Sequence, residues 1–139
     1  MNETLEPIKY PFHEEETNIS HRVLVSIPFD YNYSKNKIEG RTKSGKTYPL
    51  KEHWQLREYL TRVLTEACAG IVWEKRKYYL SYYAQKPSNR GDVINFLEAF
   101  ADVIKVVIGV DDNYLCIQDI DFEVVKNGID NKILISISQ

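Results

Sequence analysis

Residues 86–112 read KPSNRGDVINFLEAFADVIKVVIGVDD, and this stretch decides the architecture. Lys86-Pro87-Ser88-Asn89-Arg90-Gly91 is a turn signal carrying two positive charges. From Asp92 to Ile108 the apolar residues Val93, Phe96, Phe100, Val103, Ile104 and Val107 recur at helical spacing, which predicts a helix. Gly109 is its stop signal, and Asp111-Asp112-Asn113 is the next turn.

Working outward, strands flank this helix. Arg76 to Ala84 is rich in tyrosine on both faces, which predicts an inner strand or an edge strand lining an interface. Cys116 to Val125 alternates, with Cys116, Gln118, Ile120, Phe122 and Val124 on one side and Ile117, Asp119, Asp121, Glu123 and Val125 on the other. The acidic row is expected to be a solvated face. Asn127-Gly128 is a hairpin signal leading to a last strand through Ile133, Ile135 and Ile137. Before the central stretch, Val23, Val25 and Ile27 alternate in a first strand ended by Pro28. Residues 51–68 form a helix with Leu56, Tyr59, Leu60, Val63, Leu64 and Ala67 on one side. The order is β-α-β-α-β-β, and the expected fold class is α+β, two layers with helices packed on a mixed sheet.

The chain has 139 residues, which suits one domain of about 21–139 behind an acidic arm, residues 1–20. The arm holds Glu3, Glu6, Glu14, Glu15 and Glu16 against Lys9. Net charge is -2, so no global positive field points to nucleic acid. Locally the balance reverses. Within the long segment Phe29–Pro49, residues 35–46 hold Lys35, Lys37, Arg41, Lys43 and Lys46 against a lone Glu39 and read as a mobile basic loop. Cys68 and Cys116 lack metal-type spacing and are expected to be buried thiols. His13, His21 and His53 show no ligand spacing, and His53 reads as a surface residue in a first helical turn. No apolar run approaches a membrane span and no basic n-region opens the chain, so a cytoplasmic protein without membrane contact is expected.

On the predicted helix, Asp92, Asn95 and Asp102 share one edge of the polar face, and Glu98 lies one turn before Asp102. A helix of this length spans about 25 Å, so its two ends cannot share a metal through the helix alone. An aspartate at a helix start also serves as an N-cap, and Asp-Asp-Asn is common turn composition. The spacing therefore leaves capping and chemistry both open.

At these residues the chain resembles the RusA family of Holliday-junction endonucleases. That family has a basic turn after a strand, a helix opening with Asp-x-Asp-Asn, an aspartate about three turns on, and an Asp-Asp pair beyond the helix. The matching positions are Asp92, Asn95, Asp102 and Asp111-Asp112. The order of elements agrees over roughly residues 22–138, the motif only over about 86–112. The resemblance implies a Mg²⁺-dependent endonuclease acting as a homodimer on branched DNA. It implies Asp92 and Asp112 as catalytic, metal-binding residues, with Asp111 beside them. Asn95 and Asp102 would support the site; Glu98, by its own chemistry and not by the family's pattern, offers a substitute ligand. Lys35, Lys37, Arg41, Lys43, Lys46, Lys86 and Arg90 would bind phosphates. Two positions depart: Ile94 stands where the family has a second aspartate, and Glu98 where it has a lysine. Those departures raise an alternative, a branched-DNA-binding protein with impaired catalysis. An interaction domain unrelated to DNA is the remaining alternative.

Overall fold

The computed structural model describes residues 19–126 and 128–139. The acidic arm, apart from Ile19 and Ser20, lies outside the described residues, as do His13 and Asn127. The fold is α+β. Its elements are β1 (Arg22–Pro28), β2 (Glu39–Arg41), β3 (Thr47–Pro49), α1 (Lys51–Ala67), β4 (Tyr78–Lys86), α2 (Leu97–Ile108), β5 (Leu115–Val124) and β6 (Lys132–Ser138).

The main sheet is mixed and four-stranded, in the order β1-β6-β4-β5. Strand β6 runs antiparallel to both β1 and β4, while β5 runs parallel to β4. Strands β1 and β4 are therefore parallel to each other, joined through α1, with β6 filling the gap between them. The inserted strand supplies Ile133, Ile135 and Ile137, all fully buried beside Val23, Val25, Ile27, Leu80 and Tyr82. One face of the sheet takes the helices. Helix α1 lays Leu60 and Leu64 on the core, and α2 lays Phe100, Val103 and Ile104 there. No helix among the described residues is long and apolar enough to cross a membrane.

Four expectations change. First, β5 and β6 are not the neighbouring strands of a hairpin: they lie on opposite sides of β4. A two-residue turn joins strands one spacing apart, whereas this connection crosses two spacings, about 10 Å. It does so through Val125, whose N–H donates to Lys86 O at 2.7 Å, and through Asn131, whose side chain donates to Val125 O at 3.0 Å.

Second, the Tyr-rich strand lies two residues further on than expected, at 78–86, because parallel pairing with β5 holds it as far as Lys86↔Val124. It is an inner strand. Third, β5 does not alternate cleanly. The register shifts between Leu80 and Ser81, with Ile117 and Asp119 opposite them, so Gln118 is a bulge residue. The bulge moves Leu115 and Ile117 onto the same side as Ile120, Phe122 and Val124. Fourth, segment 29–49 has structure of its own. It contains 3₁₀ turns at Tyr31–Tyr33 and Lys35–Lys37, capped by the side chains of Asp30 and Ser34, and a β2–β3 hairpin. Of the thiols, Cys68 is buried and Cys116 only half-buried.

Strand β4 also fixes the central stretch to the sheet. Tyr82 is fully buried against Phe100, and its hydroxyl donates to Val93 O at 2.6 Å. Replacing Tyr82 with Phe leaves that carbonyl unpaired inside the core. The expected loss is about 1–2 kcal/mol in urea unfolding, with an unchanged m-value; a variant as stable as wild type would contradict this.

Candidate functional site

The basic turn and the 3₁₀ turns of segment 29–49 meet in one cleft of about 380 Å³. Its lining includes Tyr31, Lys37, Arg90, Asp92 and Asn95. Gly91 makes the approach possible. Its φ of +77° lies in the left-handed region, and a Cβ there would meet the Tyr31 ring at 2.7 Å. The Tyr31 hydroxyl donates to Arg90 O, clamping the two segments together.

Lys86 anchors this turn from below. It is 2% exposed, its ammonium donates to Gly91 O at 2.6 Å, and it stands 4.4 Å from the Phe122 ring centroid. The expected phosphate contact by Lys86 is therefore corrected: its charge is used inside the fold to hold the turn. Lys35, Lys37, Arg41, Lys43, Lys46 and Arg90 are all exposed, and among the described residues none is held in an ion pair.

Asp92 occupies the N-cap position of a 3₁₀ turn, Val93–Phe96, that precedes α2, so the predicted single helix begins as a tighter turn. Its side chain makes no capping hydrogen bond; only its backbone carbonyl is used, accepting from Asn95 N at 3.0 Å. The exposed Asp92 carboxylate is thus left for the cleft. Capping falls instead to Asp111, whose Oδ1 accepts from Asp112 N at 2.7 Å. Asp112 lies 3.5 Å from Lys105 Nζ in an exposed pair, a weak tie in water.

The two acidic groups lie at opposite ends of β4. Lys86, at its end, holds Gly91, next to Asp92. Tyr78, at its start, donates to Val110 O at 3.3 Å, and its own hydroxyl is pushed up to about 12 by burial, then by Asp112 and Asp111. The 3₁₀ turn and α2 that separate them span roughly 25 Å. A Mg²⁺ ion requires its carboxylate ligands at about 2.1 Å. Among the described residues, no three His, Cys, Asp or Glu side chains converge as a metal site. The set Asp92, Asp111 and Asp112 does not fit one Mg²⁺ within one chain.

Asp102 and Glu98 face α1. Arg57, its side chain 12% exposed, reaches Asp102 Oδ2 at 2.9 Å and Glu98 Oε2 at 4.0 Å. Its Nε donates to His53 Nε2 at 2.8 Å, and His53 Nδ1 lies 2.6 Å from Asn32 O. Those partners set the neutral tautomer: Nδ1–H donates to the carbonyl and Nε2 accepts from the guanidinium. The surface placement expected for His53 is corrected, since the residue is fully buried. The spacing 53, 57, 60, 64 puts it on the buried side of α1, a signal masked by its place in the first turn. The chain Asn32–His53–Arg57–Asp102 ties one cleft wall to both helices. Trp54 stacks on Arg57 at 4.6 Å.

Comparison with protein-family models and with curated proteins finds no match to this chain.

The His53 contact gives a pH prediction. Its pKa is lowered, first by burial and then by the Arg57 charge, against a raising contribution from the Asn32 carbonyl. The unfolded chain therefore takes up the proton at higher pH than the folded one. Stability is complete above the unfolded value of about 6.5 and declines as pH falls below it, by at most about 1.4 kcal/mol per pH unit. His53→Gln, whose amide can keep both contacts, is expected to flatten that component. Superimposable stability–pH curves for the two proteins between pH 5 and 6.5 would refute it.

Proposed function

We propose that this protein acts on branched DNA as an endonuclease of the RusA type, with Mg²⁺ as its ion. The observation that carries this reading is the cleft at Asp92. It presents a carboxylate free of local hydrogen bonds, beside Asn95, under a rim of uncommitted cations. Phosphodiester hydrolysis needs acidic groups beside an anion-binding surface, because charge builds on the phosphate as water attacks.

The chain's own residues divide the work as follows. Arg90 and Lys37 flank the cleft and meet phosphate oxygens. Arg41, Lys43 and Lys46, on the β2–β3 hairpin and its turn, extend the contact along an adjoining DNA arm. Gly91, held by Lys86 and Tyr31, lets the backbone approach the cleft closely. Asp92 presents its carboxylate to the scissile region, and Asn95 offers an amide for orienting phosphate or water. No step through Mg²⁺ follows within one chain, because the carboxylates do not converge there.

That separation, together with Ile94 and Glu98, favours a second reading: junction binding without cutting. One experiment distinguishes them. A labelled four-way junction is titrated with the protein across a salt series, then incubated with Mg²⁺. Binding is expected to weaken steeply with salt. Arg90→Gln and Lys37→Gln are each expected to lower the log–log salt slope by about one. Nicks that disappear in Asp92→Asn support the endonuclease. Salt-sensitive binding without nicks supports the second reading, and no retention at low salt removes both.

A further inference from the structure

We propose that the sheet face turned away from the helices is a docking surface, and that its occupant is this chain's own segment 1–18. The inference stands on that face and on the chain that leads to it, independently of the endonuclease reading.

Helices α1 and α2 both pack on one face of the main sheet, the side of Val25, Leu80 and Ile135. Alternate side chains of the same strands point the other way. Pairing sets them in rows: Leu24, Ser136 and Ser81 in one, Ser26, Leu134 and Tyr83 in the next. Leu24, Leu134, Tyr79 and Tyr83 take no part in the core. Yet this face is not built as a solvated surface. Leu24 is 42% exposed, and the other three stand half-buried around Ser81, Ser136 and Ser138, which are only 2%, 3% and 3% exposed. The Ser81 hydroxyl is buried without a hydrogen-bond partner, a costly state that a covering carbonyl would relieve.

Attachment brings segment 1–18 to this face. Ser20 N–H and His21 N–H both donate to Gln139 O, beyond the end of β6. The segment therefore arrives beside the row Arg22, Ser138 and Tyr79. Strand β1, with seven residues, makes the face about 23 Å long. Eighteen residues reach up to about 60 Å, more than enough to cross it.

The residue pattern fits the surface. Ile8, Tyr10 and Phe12 alternate with Pro7, Lys9 and Pro11. Laid out extended, as the prolines favour, the three apolar side chains fall on one side, matching the leucines and tyrosines of the face. Proline has no N–H to give a ladder, so the contact is made by side chains and not by adding a strand to the sheet.

Charge opposes the rival placement, in which acidic residues cover the basic cleft. Glu14, Glu15 and Glu16 stand three to five residues before Ile19, a reach of about 10–17 Å. At that end of the sheet are Arg22, opening β1, and Lys75, Arg76 and Lys77, preceding β4. Arg76 already donates to Ser20 Oγ at 3.4 Å. Lys37 and Arg90 stand past the opposite ends of β1 and β4, about 23 Å off, where these three glutamates do not reach.

Two measurements test the placement. In the first, the full chain carrying benzoylphenylalanine in place of Phe12 is irradiated at low concentration, and the adduct is mapped by mass spectrometry. The expected product has the mass of a single chain, linked within peptides that contain Leu24, Tyr79, Tyr83 or Leu134. Leu24→Glu with Leu134→Glu is expected to lower its yield about tenfold or more, since buried apolar area is lost. Links to residues 35–46 or Arg90, links to a second chain, or no link at all overturn the placement.

The second measurement leaves residues 19–139 unaltered. Cleavage after Glu14, Glu15 and Glu16 by a glutamate-specific protease is followed in the full chain and in its Tyr10→Ser, Phe12→Ser variant. The variant is expected to be cut about tenfold faster, because undocking precedes cleavage and the variant undocks more often. Equal rates in the two proteins would remove the docking surface.

Discussion

Strand β4 holds the central stretch to the sheet at three points, and the rest of the site depends on that attachment. Tyr78 bonds Val110, Tyr82 bonds Val93 and Lys86 bonds Gly91. Because β4 is paired with β5 from Tyr78 to Lys86 and with β6 on its other side from Tyr79 to Ala84, these side chains project from backbone that has little freedom. The same attachment that shapes the cleft at Gly91 also holds the Asp111–Asp112 corner at the far end of the strand. Proximity of one and remoteness of the other have a single cause.

Charge in this protein is divided by burial. Lys86 and Arg57 are withdrawn from solvent and satisfied locally, one by a carbonyl and an aromatic ring, the other by His53 and two carboxylates. Removing any partner would leave a charge inside the fold, so these residues position the turn and the helices. The cations around the cleft are the opposite case. They are exposed and unpaired among the described residues, and they lose little hydration until a polyanion arrives. A formal charge of -2 conceals this division.

The capping roles of the aspartates show how similar residues acquire different work. Both Asp92 and Asp111 precede 3₁₀ turns. Asp111 turns its carboxylate onto the following N–H, which keeps it close to the backbone. Asp92 does not, and its carboxylate stays on the cleft side. Residue type and position along the chain are alike at the two sites, so only side-chain direction separates a cap from a candidate ligand.

Much of the fold was legible along the chain. Helix and strand periods depend on near neighbours, so the order β-α-β-α-β-β, the stripes of α1 and α2 apart from Ala67, which is exposed, and the turn at Gly109 followed from the residues themselves. The motif from Lys86 to Asp112 was legible for the same reason. Three features required the tertiary structure. Insertion of β6 between β1 and β4 is a choice of strand partner, which local pattern does not encode, and the Asn127-Gly128 signal pointed to the wrong neighbour. The Gln118 bulge depends on register against β4. Burial of Lys86 and His53 depends on what packs over them, since a charged or polar side chain enters a core only where distant groups satisfy it. The four aspartates Asp92, Asp102, Asp111 and Asp112 divide along that line. The sequence determined that Asp92 and Asp102 stand at helical spacing with a pair in the turn beyond, and the tertiary structure alone decided that one faces the cleft, one binds Arg57, and the pair stands a strand's length away.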